Sequence, residues 1–133
     1  MKARFIVLVL MLVGVLGVGA IATRGDNVNA DRQWTLINFV DPTMVAGEIL
    51  MGPFLVVHDS QKMAHGEPCS TFYRFDKKRG PQEAVVSFHC RPVQRQVCAK
   101  TTLTVQSDPA FGVGRLVEYQ VAGDSEAHGV PLR

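Results

Sequence analysis

The beginning of this chain constrains it most. Lys2 and Arg4 precede eighteen uncharged, mostly apolar residues, Phe5 to Ala22, and Arg24 closes the run. A short basic stretch, an apolar core and small residues before a cut make a secretory signal. Ala20-Ile21-Ala22 and Val28-Asn29-Ala30 both offer such a cut site. The run also reaches the length of a minimal membrane span, about 17 residues. Positive charges ahead of it place the rest of the chain outside the cytoplasm in either case. Residues 1–30 are therefore read as a signal peptide or an N-terminal membrane-anchor helix, with cleavage and retention both open. Residues 31–133 are read as one exported domain, in the periplasm or outside the cell.

About a hundred residues remain for that domain, enough for a single core. Of the 14 Lys and Arg and the 12 Asp and Glu, the first thirty residues take Lys2, Arg4, Arg24 and Asp26. The exported part is thus neutral. Neutrality excludes the basic stripe that nucleic acid needs and gives no attraction to an anionic membrane surface. Membrane contact is expected only through residues 5–22 of an uncleaved chain. The expected partner is a protein or another component of the cell envelope.

After a polar linker over 23–33, short runs rich in Val, Thr, Phe and Tyr alternate with turn residues. This pattern predicts strands over 34–40, 43–50, 53–59, 69–76, 83–91, 98–106 and 115–122. Asp41-Pro42, Gly52-Pro53, Gly66-Glu67-Pro68, Gly80-Pro81 and Asp108-Pro109 are the predicted turns. Only 59–66 has helical character. The expected fold is all-β, a small antiparallel sandwich or barrel of about seven strands. Trp34, Phe39, Phe54, Tyr73 and Phe88 are the expected core aromatics. The segment 124–133 reads as a mobile polar tail, from which His128 could reach a neighbouring site.

One hairpin predicts a cross-link. If Asp76 opposes Glu83, then Phe75 faces Ala84, Tyr73 faces Val86, Thr71 faces Phe88 and Cys69 faces Cys90, all on the more apolar side. Opposed positions can meet disulfide geometry, and an exported compartment is oxidising. Cys69–Cys90 is the favoured bridge, and Cys90–Cys98 remains an alternative because connectivity does not follow from sequence. Cys98 is then the free thiol candidate, either paired between chains or buried and inert.

Chemistry has two further candidates. His58, Met63, His65 and His89, with Cys69 and Cys90, are the imidazole and sulfur donors that copper or zinc prefers. Their spacing matches no zinc finger, and adjacent His89 and Cys90 point to opposite faces of a strand. A triad from His58, Asp59 and Ser60 fails because neighbours in sequence point apart. No nucleophile elbow, HExxH or phosphate loop is present.

The blocks Val56-Val-His-Asp59, Lys62-Met-Ala-His-Gly-Glu-Pro-Cys69, Val85-Val-Ser-Phe-His-Cys-Arg-Pro92 and Glu118-Tyr-Gln-Val-Ala-Gly-Asp124 resemble a set of small exported bacterial proteins without assigned function. The resemblance spans about residues 35–131. It implies a shared fold and an exported address and transfers no activity; Cys98 stands outside it. The leading expectation is a non-enzymatic exported binding or envelope-associated module, held by Cys69–Cys90 and needing no cofactor. The alternative is a periplasmic copper- or zinc-binding protein. The two compete, because a disulfide consumes the thiolates a metal would use.

Overall fold

The computed structural model describes residues 31–110 and 112–133. The targeting segment lies outside the described residues, among which no helix is long and apolar enough to cross a membrane. Among the described residues there are eight strands: β1 (Arg32–Val45), β2 (Glu48–Asp59), β3 (Ser70–Asp76), β4 (Gly80–Phe88), β5 (Arg91–Gln94), β6 (Thr102–Asp108), β7 (Val113–Gln120) and β8 (Glu126–Gly129). One short helix, α1 (Ser60–Ala64), follows β2. The strands form a single sheet in the order β4-β3-β2-β1-β7-β8-β5, with β6 also paired to β7. All pairings are antiparallel except the short β1–β7 contact.

Two predicted turns are not turns. Asp41-Pro42 sits in a register irregularity of β1, between Phe39 and Thr43. Gly52 and Pro53 lie inside β2, opposite Phe39 and Asn38. The chain reverses instead at Ala46 and Gly47, whose φ angles are 47° and 90°. Two successive positive φ values are what a tight hairpin needs to match the twist of its strands. Three expected strands are therefore two long ones.

The β3–β4 hairpin forms, with its register displaced. Ser70 pairs with Phe88, Thr71 with Ser87 and Phe72 with Val86, one residue off the predicted pairing. Two further irregularities around Tyr73 carry the hairpin to Asp76 opposite Gly80. The face expected to be buried is the outer one: Ser70 and Phe72 point into the core, and Thr71 and Tyr73 are only half-buried. The residues after β4 do not form a hairpin with β6: β5 pairs with β8, and β6 with β7. The supposed mobile tail contains β8, whose last three residues are buried.

The core gathers where the two ends of the sheet face each other. Phe72 of β3 meets Phe39 at 6.5 Å, Phe88 at 5.7 Å and Tyr119 of β7 at 6.0 Å between ring centroids. Phe54, Val56, Leu50 and Leu116 fill the space around them. Burying a ring such as Phe72 completely contributes about 1.5–3 kcal/mol. Trp34 is not part of this core; it is 39% exposed.

Candidate functional site

The last turn of β2 and the whole of β8 bring two histidines together. In β2, inward Phe54, Val56 and His58 alternate with outward Leu55, Val57 and Asp59. His58 lies opposite Gln33 of β1 and Ser70 of β3. His128 lies between Tyr119 of β7 and Pro92 of β5. Both side chains are buried, at 2% and 1% exposure. Their rings stack with centroids 3.9 Å apart and planes 25° from parallel. The Tyr119 ring is 5.0 Å from that of His128, and its hydroxyl shares a hydrogen bond with Ser70.

Asp59 fixes where β2 ends. Its carboxylate accepts hydrogen bonds from the Gln61 and Lys62 N–H groups, at 3.0 and 3.1 Å, and so caps α1. Such a cap contributes about 1 kcal/mol. Arg32 pairs with the same carboxylate at 3.1 Å, and these contacts hold its pKa below the ordinary range. The Asp59 N–H donates to the Cys69 carbonyl at 2.8 Å. The loop after α1 therefore returns Cys69 beside the root of His58.

Cys69 and Cys90 form a disulfide with a Cα–Cα distance of 6.1 Å. The predicted bridge is present although the predicted register is not, because Cys90 lies beyond the end of β4 and is free of its pairing. The Cys90 N–H donates to the Cys69 sulfur at 2.9 Å. Cys98 is the free cysteine, half-buried, with its sulfur 3.5 Å from the Val121 carbonyl.

A ring nitrogen of His58 and the sulfurs of Cys69 and Cys90 lie within 4.8 Å of one another, all three residues buried. Of the sequence-derived donors, only His58 joins the two cysteines there. His65 ends α1 in an exposed position, and His89 is exposed. Met63 packs its side chain against the hydrophobic core. His128 joins His58 from a segment whose strand is four residues long. The alternation of Glu126, Ala127 and His128 was too brief to register as a strand.

Electrostatics keeps the pair neutral. Burial pushes the pKa of His128 down to about 4, and the neighbouring His58 pushes in the same direction against Asp124 and Glu118. Burial also lowers the pKa of His58, opposed by Asp124 and Asp59. Burial raises that of Tyr119. All four ring nitrogens of His58 and His128 are buried without a hydrogen-bond partner. Glu126 comes no nearer to His128 Nδ1 than 3.9 Å. Buried polar atoms are nearly always satisfied, and each exception asks for a reason. The neutral His58 imidazole beside two sulfurs offers donors of the kind a soft metal ion prefers. No family model, curated protein or solved structure matches this chain.

Proposed function

We propose that this protein is an exported, non-enzymatic β-domain, folded as a small sandwich or barrel and held by the Cys69–Cys90 bridge, whose reduced form binds one zinc or copper(I) ion at His58, Cys69 and Cys90, with His128 as the fourth ligand. The observation that carries the reading is a His58 ring nitrogen clustered with the Cys69 and Cys90 sulfurs in the core, while no ring nitrogen of His58 or of His128, stacked on it, has a partner. Cys2His2 is a complete tetrahedral set for zinc, and thiolates also suit copper(I). Only thiolates ligate, so the disulfide is the alternative, metal-free state of the same residues. Reduction of the bridge by a dithiol takes two electrons and two protons and leaves two thiols. Metal uptake then releases those protons. Because the two rings stack nearly parallel, His128 would have to tilt off His58 for a nitrogen of each to reach one ion.

Calorimetric titration of the protein, reduced anaerobically with a phosphine, tests this. The reading expects one zinc or copper(I) per chain in the reduced form and none in the disulfide form. The two metals are told apart by competition. His128→Asn should weaken uptake on the order of tenfold or more while circular dichroism stays unchanged. Absence of stoichiometric uptake by folded, reduced protein would sink the reading.

A further inference from the structure

The outer face of β1, β2 and β3 is the other feature that ordinary packing leaves unexplained. An antiparallel sheet with one face on the core usually turns polar residues outward. Here Trp34 and Leu36 point away from the core, paired with Val57 and Leu55 of β2. Two clefts of about 290 and 330 Å³ open on this face and share Arg32, Leu55, Val57 and Pro81 as walls. They form one groove, within the size range of small-ligand sites, about 300 Å³ and above.

The two ends of the groove differ in chemistry. Trp34, Leu36 and Phe75 make one end apolar, with Arg32 as its only polar residue. Asp59, Lys62, Thr71 and Tyr73 line the other, again with Arg32. Two cations stand there against one carboxylate, and Arg32 is already paired with it at 3.1 Å. Lys62 supplies the charge in excess.

We propose that this groove binds a single-chain amphiphile with a carboxylate head, a fatty acid, its chain along Trp34, Leu36 and Phe75 and its head at Lys62. The apolar end removes alkyl surface from water. The polar end pairs the carboxylate with the exposed Lys62 ammonium, a modest surface ion pair. The binding residues Trp34, Leu36, Phe75 and Lys62 are not metal donors, although Cys69 also borders the polar end of the groove.

Trp34 is the chain's one tryptophan, so its fluorescence reports occupancy directly. The exported protein is titrated with laurate below its micelle concentration, and separately with the methyl ester of the same acid. Laurate should give a saturable single-site blue shift, and the ester should bind roughly three- to fivefold more weakly. Lys62→Gln should weaken laurate by a similar factor and leave the ester unchanged. Leu36→Asp, at a position 48% exposed and so harmless to the fold, should abolish both responses. No saturable response to laurate overturns the proposal. So does equal affinity for acid and ester, which removes the role of Lys62. A response to lipid vesicles alone overturns it in favour of a bilayer-facing surface.

Discussion

At the scale of single residues, two neutral histidines are held where charge is costly. The protein is least able to protonate His128, whose pKa lies near 4 when folded against an ordinary value of 6.5. Between those values the unfolded chain binds a proton that the native state refuses. Stability is therefore full above about pH 6.5 and falls as the pH drops toward 4. His58 contributes with the same sign. The metal-free disulfide form should lose about 3 kcal/mol across that window. Urea midpoints at pH 7.5 and 4.5 measure the loss, and His128→Gln should flatten the difference. A midpoint independent of pH would mean that the imidazoles are not buried neutral. Part of this site was legible in the sequence: residue types and an exported address pointed to the Cys69–Cys90 bridge and to His58, although the register that opposed the two cysteines is not the one that forms. The partner of His58 was not, because His128 sits in a strand of four residues. Periodicity needs a longer run, and a polar stretch near a chain end reads as a tail.

At the scale of elements, strands were read well and their boundaries poorly, for one physical reason. Pro and Gly mark turns only when the chain actually reverses there. Pro42 has no N–H to give, so β1 accommodates it as an irregularity and continues. The reversal falls to Ala46-Gly47, which sits inside an apolar-looking run. Gly47 illustrates what the turn needs: a Cβ added there would meet nothing closer than Arg133 Cα at 3.9 Å, yet φ is +90°. Space is available and backbone strain is the whole cost. Gly47→Ala should therefore destabilise by roughly 1–2 kcal/mol, read by thermal denaturation with an unchanged native spectrum. A neutral result would show that the hairpin reverses elsewhere. The register of β3 and β4 was displaced for a related reason. Loop length was used to set the pairing, while irregularities at Tyr73 absorb extra residues that no loop count anticipates.

At the scale of the whole molecule, the account joins an address to a redox state. A basic start and eighteen apolar residues predict export, and the bridge between Cys69 and Cys90 suits an oxidising compartment. Protein taken from the envelope fraction and alkylated without reduction should carry one label, on Cys98, and three after reduction and unfolding. The same intact mass shows whether residues 1–30 are still attached. Three labels before reduction would place the native protein in the thiol state. Composition and pattern gave the β-rich class. They could not give the folding of one sheet so that β2 faces β8, since that contact joins His58 to His128 across most of the domain. The stack of His58 on His128 exists only through that closure.

The central claim is that His58, Cys69, Cys90 and His128 form one metal site when the bridge is open. The absorption spectrum of the anaerobically reduced protein titrated with cobalt(II) tests it most directly, because tetrahedral cobalt bound to thiolates has intense, diagnostic visible bands. The account predicts those bands at one cobalt per chain, their loss on adding zinc, a changed band pattern in His58→Asn, and none in the Cys69→Ser, Cys90→Ser double variant. A reduced, folded protein that shows only the weak spectrum of hydrated cobalt would contradict it and leave the cysteines with a purely structural role.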